Sequence, residues 1–308
     1  MTMPRFTGVL APVVTAFDEN LRPDATRLLQ HCRWLLGQGV SLAVFGTNSE
    51  ANSLSVHEKL DLLAKLIDAG IEPRHLLPGC GSCALPDTIM MARHAVSMGC
   101  GGILVLPPFY YKPVSDDGLF AFYAKLIEEV ADERLSLYLY HIPQLTGVPL
   151  SLALIERLLQ RFPHQVAGIK DSSGDWQFTE SLLQQGWDDF RVFCGSESFL
   201  LATCMAGGAG CISATANVNP GALTNLYENS KSSDAAALQR QADQVRQIFQ
   251  RFPMIAALKQ TLAHNRDDSN WQRVRPPLVP LDEQQTQDLQ AALQEISFTM
   301  PDLEEFCS

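Results

Sequence analysis

The feature that most constrains the fold of this chain is a regular alternation of short apolar runs with amphipathic segments between residue 8 and about residue 229. The segments between the runs carry apolar residues at helical spacing, as in Leu28, Leu29, Cys32, Leu35 and Leu36. Such alternation is typical of parallel strands that are each returned by a helix. Eight runs predict strands, at residues 9–14, 42–45, 76–79, 102–106, 135–140, 166–169, 192–194 and 210–213. The pattern therefore predicts an α/β fold, a TIM (β/α)8 barrel.

An open, doubly wound sheet is the alternative architecture for this pattern. A dinucleotide-binding sheet of that kind has a G-x-G-x-x-G turn after its first strand, and no such turn follows Val14. We expect the barrel to occupy residues 1–229 as the catalytic domain. Residues 230–308 are predicted to form a C-terminal helical region, with helices near 235–251 and 283–296, packed on the barrel or on a neighbouring subunit.

The charge balance argues against two classes of partner. The chain has 34 acidic and 23 basic residues, which gives a formal net charge of -11. Nucleic acids and anionic membranes bind clustered Lys and Arg, so neither is an expected partner. Residues 1–8 contain no apolar signal segment, and no run approaches the roughly 20 apolar residues of a membrane span. We therefore expect a cytoplasmic protein.

The cysteines and the scattered acidic residues do not predict a metal site. The eight cysteines lie among apolar segments, where they are expected to be small buried hydrophobes. Cys80 and Cys83 form the only C-x-x-C pair, and no second pair of Cys or His completes a zinc site. His141, Asp171 and Glu197 follow predicted strands without a further ligand at suitable spacing. Neither a metal nor a dissociable cofactor is expected.

Lys170 is the strongest candidate for a reactive side chain. In a (β/α)8 barrel the active site lies at the carboxyl ends of the strands, and Lys170 directly follows the run 166–169. Burial disfavours the charged form of an amine, and a neutral amine can add to a ketone to form an imine. The iminium then withdraws electrons during C–C cleavage or dehydration. The alternative interpretation is a surface lysine that pairs with Asp171.

Two other strand ends carry polar groups that fit the same chemistry. Tyr140 ends the neighbouring predicted strand, where its phenol could transfer the protons that imine chemistry requires. The alternative is an aromatic residue that only packs at the barrel rim. Residues 46–50 offer backbone amides, hydroxyls and a side-chain amide, which suit a small carboxylate. Their alternative role is a helix cap formed by Asn48 or Ser49.

Together these motifs resemble the dihydrodipicolinate synthase and N-acetylneuraminate lyase superfamily of class I aldolases. Residues 46–50 read Gly-Thr-Asn-Ser-Glu, similar to the family's G-[TS]-x-G-E loop. Residues 108–111 read Pro-Phe-Tyr-Tyr, Tyr140 is followed by Pro143 in a Tyr-x-x-Pro motif, and residues 168–171 read Gly-Ile-Lys-Asp. Residues 208–213 with Ala216 and Asn217 are similar to the family's eighth strand. The resemblance covers nearly the whole chain.

The resemblance implies a set of catalytic roles. Lys170 would form the imine, and Tyr140 would relay protons. Thr47 would link Tyr140 to Tyr110, and Tyr110 would come from a neighbouring subunit. The resemblance therefore implies a homo-oligomer, either a dimer or a tetramer, in which Tyr110 completes the site.

The resemblance also implies how a 2-oxo acid would bind. Thr47 and Asn48 would hold the carboxylate of a pyruvate-like substrate through backbone and side chain. The Ile212 carbonyl would face the lysine region. Ser172 and Gly195 belong to the runs 168–175 and 194–196, which most resemble 4-hydroxy-2-oxoglutarate aldolases, and we expect both residues to contact the substrate.

Two departures from the family pattern bear on the substrate. Ser49 replaces the usual glycine of the loop, and Leu145 stands where dihydrodipicolinate synthases have an arginine for the carboxylate of the second substrate. Lys112 is the nearest cation in sequence that could replace that arginine. The interpretation favoured here is a lyase that releases or condenses pyruvate and resembles 4-hydroxy-2-oxoglutarate aldolase. Alternatives are a dihydrodipicolinate synthase, a 2-keto-3-deoxy sugar acid aldolase or dehydratase, and a non-catalytic 2-oxo-acid-binding protein.

Overall fold

The centre of the molecule is a curled sheet of seven parallel strands, seen in a computed structural model that describes residues 4–301 and residue 303. The order across the sheet is β2-β1-β7-β6-β5-β4-β3. The strands are β1 (Gly8–Ala11), β2 (Ser41–Leu42), β3 (Ile103–Val105), β4 (Leu137–His141), β5 (Val166–Asp171), β6 (Arg191–Cys194) and β7 (Gly210–Ile212). Seven of the eight predicted strands are therefore confirmed, with somewhat different limits.

Residues 76–79, predicted as a strand, join the two edges of the sheet through isolated bridges. Leu76 makes a parallel bridge to Leu42 of β2, and Gly79 makes one to Leu104 of β3. Pro78 has no N–H to donate to a ladder, which limits regular pairing here. A Cβ on Gly79 would lie 2.1 Å from the carbonyl oxygen of Phe45. The segment therefore lies too close to its neighbour for a larger residue at position 79.

In the described part of the chain, twelve α-helices surround the sheet and extend beyond it. Half of them begin at a residue whose side chain accepts an amide of the first turn, for example Asp24, Ser55 and Asp282. None of the described helices has the length and apolar character needed to cross a membrane. The helices are α1 (Ala25–Gly37), α2 (Val56–Asp68), α3 (Leu85–Ser97), α4 (Asp116–Val130), α5 (Pro143–Thr146), α6 (Leu152–Arg161), α7 (Trp176–Gln184), α8 (Leu200–Met205), α9 (Pro220–Glu228), α10 (Ala235–Phe249), α11 (Met254–Asn265) and α12 (Glu283–Glu295).

The strands are buried on both faces, as expected for a parallel sheet covered by helices. On β4, Tyr138 and Tyr140 belong to the inner cluster, whereas Leu137 and Leu139 pack outward against the helices. Tyr140 is in register with Lys170 of β5. Because side chains alternate along a strand and Ile169 packs outward, Lys170 points inward beside Tyr140.

The chain beyond α9 contacts residues that follow β2 and β6 and a residue of α2 in the same chain. Lys259 on α11 donates to Glu50 at 2.7 Å, and both side chains are fully buried. Burial lowers the pKa of Lys259 to about 8, although Glu50 opposes the shift. Gln239 on α10 donates to the Glu197 carbonyl at 2.9 Å. These long-range contacts hold the described residues from 230 onward, called the tail below, over the carboxyl ends of the strands.

A partly buried ion pair between Arg275 and Glu58 on α2 also holds the tail. Two hydrogen bonds of 2.5 Å and 3.0 Å join the guanidinium to the carboxylate. The hydrogen bond from Arg275 lowers the pKa of Glu58 from 4.5 to about 2. A carboxyl with a depressed pKa stabilises the fold above the pKa of its unfolded state and loses that contribution as the pH falls through the folded value.

We expect Glu58→Gln to lower the free energy of unfolding by about 1–3 kcal/mol at pH 7. The difference from the unsubstituted protein should shrink as the pH falls from about 4.5 to about 2, the window set by the pKa of Glu58. Denaturant unfolding measured across this pH range provides the test. Asp61→Asn is the matched control, because its pair with Lys65 on the same helix is exposed and worth little. Equal losses for both variants, or a loss that does not depend on pH, would contradict the assignment.

Candidate active site

A continuous polar contact joins Lys170, Tyr140 and Thr47. The Lys170 side chain is only 2% exposed, and its Nζ donates to Tyr140 Oη at 3.3 Å. The same Nζ lies 4.3 Å from the centroid of the Tyr140 ring. Tyr140 Oη lies 3.1 Å from Thr47 Oγ1. The arrangement places an amine, a phenol and a hydroxyl so that a proton can pass between them.

These three residues line a cavity of about 730 Å³ at the carboxyl ends of the strands. Of the other residues predicted to bind substrate, Asn48, Ser172 and Gly195 also line it. Gly195 is needed for a close approach, since a Cβ there would lie 2.0 Å from Ser172 Oγ. Ile212 is buried in the inner cluster and does not line the cavity.

The loop with Thr47 and Asn48 forms one 3-10 turn, Thr47–Ser49, at the edge of the cavity. Within the described part of the chain, the amides of Thr47 and Asn48 have no hydrogen-bond acceptor. Ser49 Oγ accepts the Gly46 amide at 3.2 Å, so the predicted cap is present at this one position. Two adjacent free amides at the edge of the cavity can donate to a carboxylate.

Asp171 is held by groups other than the lysine beside it. His141 Nδ1 lies 3.0 Å from Asp171 Oδ1, and Thr179 and Ser173 also donate to this carboxylate. Burial opposes ionisation of Asp171, but these hydrogen bonds outweigh it and hold its pKa below the ordinary value. The alternative prediction of a surface lysine paired with Asp171 is therefore wrong for Lys170.

Glu197, the second acidic residue considered from sequence, makes its contacts apart from His141 and Asp171. The buried Glu197 accepts from the hydroxyls of Ser213 and Thr215 and from Arg246 on α10. No group of three or more His, Cys, Asp or Glu residues in the described ranges is arranged to hold a metal ion. Cys80 is buried and Cys83 exposed, and both are free thiols. Cys307 lies outside the described residues.

Comparison with known proteins identifies the family of this chain. Residues 5–296 match the model of the dihydrodipicolinate synthetase family. The chain belongs to this family. An uncharacterized DapA-like lyase of Chloroflexus aurantiacus is 33% identical over 96% of the chain and 98% of its own length. A 4-hydroxy-tetrahydrodipicolinate synthase of Thermus thermophilus is 32% identical over 74% of the chain and 75% of its own length.

Solved structures of the dihydrodipicolinate synthetase family show the same fold. Dihydrodipicolinate synthase from Agrobacterium tumefaciens superposes with a TM-score of 0.88 at 30% identity, covering 94% of this chain and 99% of that one. A prophage protein of the family from Escherichia coli K12, solved in complex with pyruvate, gives 0.86 at 28% identity and covers 96% and 99%. The resemblance drawn from the motifs is thus confirmed, and the protein is an enzyme, a lyase of the class I aldolase type.

The departures from the family motifs have clear positions in the structure. In residues 45–50, positive φ angles occur at Phe45 (60°) and Glu50 (56°) and not at Ser49. The backbone therefore does not require a glycine at position 49. Leu145 is 64% exposed and lines the cavity, where an apolar side chain cannot bind an anion. Lys112 donates to the Phe109 carbonyl at 2.7 Å and does not line the cavity. The expectation that Lys112 replaces the missing arginine is therefore wrong for this arrangement.

Tyr110 lies away from Thr47 within the chain. Its side chain is 76% exposed, and its ring packs edge-to-face on that of Tyr111 at 5.3 Å. The link from Thr47 to Tyr110 is thus not formed within one subunit in the described residues. The cavity also has a wall that sequence patterns did not indicate, built from tail residues that include Arg246, Met254 and Val279.

Proposed function

We propose that the protein is a Schiff-base lyase that cleaves a 4-hydroxy-2-oxo acid to pyruvate and an aldehyde. The observation that carries the proposal is the buried Lys170 amine, 3.3 Å from the Tyr140 phenol in a cavity large enough for a small substrate. The Escherichia coli relative solved with pyruvate supports a pyruvate-like ligand. We take the seven strands and residues 76–79 as one closed barrel, with residues 230–308 as an appended helical region.

The reaction begins when Lys170 Nζ adds to the C2 carbonyl, and loss of water leaves an iminium. Tyr140 Oη gives its proton to the hydroxyl group that departs as water in this step, and the resulting phenolate then takes the proton of the C4 hydroxyl. The C3–C4 bond breaks, its electron pair moves into the iminium to form an enamine, and the aldehyde leaves. The Tyr140 phenol gives a proton to C3. Water then adds to the pyruvate imine, and the phenolate takes back a proton from that water as the free amine is regenerated. Thr47 positions the phenol through its 3.1 Å contact.

Binding of the substrate carboxylate is assigned to the amides of Thr47 and Asn48, which have no acceptor within the described chain. Ser172 and Gly195 line the cavity beside Lys170 and would contact the bound 2-oxo acid. A role for the Ile212 carbonyl stays a prediction, since Ile212 lies in the inner cluster behind the cavity surface. These assignments place the C2 carbonyl of the substrate toward the lysine.

The second candidate is a dihydrodipicolinate synthase, because that is the name of the Thermus thermophilus relative. Leu145 disfavours it. Losing a charged hydrogen bond to the second substrate costs about 1.5–3 kcal/mol, or one to two decades in kcat/KM. We therefore expect faster cleavage of 4-hydroxy-2-oxoglutarate than condensation of pyruvate with aspartate semialdehyde. Side-by-side kcat/KM values test this, and a clear preference for condensation would overturn the substrate assignment.

We expect a homo-oligomer because the aromatic side chains of Tyr110 and Tyr111 are exposed side by side. Large apolar side chains exposed together usually mark an interface. Light scattering on the purified protein should give at least a dimer, and Tyr111→Ser should shift it toward monomer. Leu278→Ser, a change of a half-exposed apolar residue on the tail, is the control for general loss of solubility. A fully active monomer would remove the shared role of Tyr110.

A further inference from the structure

The cavity is lined by one cation that the reaction at Lys170 does not use. Among the described residues that line the cavity, Arg246 on α10 is the only cation besides Lys170. Its side chain is 15% exposed. The cavity lining is mostly apolar and comes from α5, from the segment after β6 and from α11, including Leu145, Phe199, Met254 and Ile255. A charge in apolar surroundings interacts more strongly with a ligand than one in water.

The hydrogen-bonding groups of Arg246 are incompletely paired. Its Nη1 makes one contact of 3.3 Å to Glu197 Oε2. Its Nε is buried and has no hydrogen-bond partner among the described residues. Glu197 already accepts the hydroxyls of Ser213 and Thr215, so its charge is shared among three donors. A buried N–H without an acceptor is costly, and an incoming oxyanion would remove that cost.

Because Leu145 stands where related synthases have an arginine, a second anionic group of the substrate would need another cation. Leu145 and Arg246 line the same cavity, one from the segment after β4 and the other from the tail. Leu145 cannot pair with an anion, and Lys112 is turned to the Phe109 carbonyl. A planar guanidinium binds carboxylate and phosphate oxygens through two parallel N–H groups, which favours Arg246 for that role.

We propose that Arg246 binds the terminal oxyanion, carboxylate or phosphate, of the substrate while Lys170 holds its 2-oxo group. The proposal rests on the proposed function and specifies its substrate class: a 2-oxo acid with a second anionic group at the far end. The hydrogen bond to Glu197 orients the guanidinium. The apolar wall excludes water and so strengthens the contact with the anion.

The first test compares substrates that differ at the far end. Pyruvate release from 4-hydroxy-2-oxoglutarate, from 2-keto-3-deoxy-6-phosphogluconate and from 4-hydroxy-2-oxopentanoate, whose far end is an uncharged methyl group, is measured with Arg246→Met. We expect kcat/KM to fall roughly 10- to 100-fold for at least one of the two substrates with an anionic far end and far less for the one with the methyl group. The anionic substrate that loses more identifies carboxylate or phosphate as the ligand. Equal losses on all three, or no loss, would overturn the proposal.

Three further variants separate binding from folding. Arg240→Met removes an exposed arginine from the same helix and should leave all three values unchanged. Arg246→Met alone leaves the buried Glu197 without its cation, so the double variant Glu197→Gln/Arg246→Met keeps the test valid if the single variant is unstable. Arg246→Lys keeps the charge and should recover part of the preference for the anionic substrate.

A binding measurement tests Arg246 without turnover. Calorimetry compares 2-oxoglutarate with 2-oxopentanoate, which replaces the far carboxylate by a methyl group. The unsubstituted protein should bind 2-oxoglutarate more tightly, and Arg246→Met should remove that preference. If this holds but no 4-hydroxy-2-oxo acid is cleaved, the proposed function fails while the Arg246 site stands. If cleavage is found and the preference is absent in the unsubstituted protein, the Arg246 assignment fails alone.

Discussion

Replacing Lys170 with alanine is expected to lower kcat by at least roughly 10⁴-fold, because the loss of a covalent nucleophile in other enzymes costs about 10⁶-fold. Lys170 is the only amine in contact with Tyr140 among the described residues, and no other lysine lines the cavity. Steady-state pyruvate release from 4-hydroxy-2-oxoglutarate measures the effect. A residual rate within tenfold of the unsubstituted enzyme would rule out the imine mechanism.

The charge and the nucleophile of Lys170 can be separated with a second substitution. Lys170→Arg keeps a cation beside Tyr140 but cannot form an imine, since a guanidinium stays protonated. We expect it to be as inactive as Lys170→Ala. An active Lys170→Arg variant would mean that the residue acts only through its charge. Circular dichroism and thermal unfolding of both variants show whether the loss comes from the fold.

Tyr140→Phe is expected to lower kcat by roughly 10²- to 10⁴-fold, the usual contribution of a positioned proton-transfer group. The substitution keeps the ring that packs 4.3 Å from Lys170 Nζ and removes only the hydroxyl. The loss should appear in kcat more than in KM, because the phenol acts on the reacting bonds. Cleavage assays across substrate concentration measure both constants.

Tyr138→Phe is the matched control for Tyr140→Phe. Tyr138 lies two residues earlier on β4 and also points inward, but its hydroxyl accepts the Phe6 amide at 2.9 Å. It does not line the cavity. We expect a small loss of stability and little change in kcat for this variant. Comparable losses of kcat in both variants would assign the effect to barrel packing and contradict proton transfer by Tyr140.

Local sequence patterns were sufficient for the strands and for the contact between Lys170 and Tyr140. Apolar runs of a parallel sheet are continuous because both faces are buried, which makes them visible without knowledge of the partners. Two strand ends that follow each other in the chain also lie side by side in the sheet, and β4 and β5 are such neighbours. The register that pairs Tyr140 with Lys170 follows from this adjacency.

Other features depended on tertiary contacts that no local pattern carries. The segment 76–79 is apolar like a strand and bonds to both neighbouring segments, yet Pro78 lacks an N–H and the pairing is confined to isolated bridges. Lys112 is near the aromatic pair in sequence, but its amine is bonded to the Phe109 carbonyl. Arg246, which lines the cavity, lies 49 residues beyond its partner Glu197 in the chain. A single arginine on an amphipathic helix has no sequence signal that separates it from a surface residue.

The central claim is that Lys170 forms an imine with a 2-oxo acid, and borohydride trapping with pyruvate tests it most directly. Reduction should leave a stable adduct, and peptide mass mapping should place it on Lys170. Lys259 is an internal comparison, since burial lowers its pKa to about 8 but it is enclosed and paired with Glu50. The account predicts one adduct, on Lys170, and none in Lys170→Ala. An adduct on Lys259 or any other lysine, or no adduct at all, would contradict it.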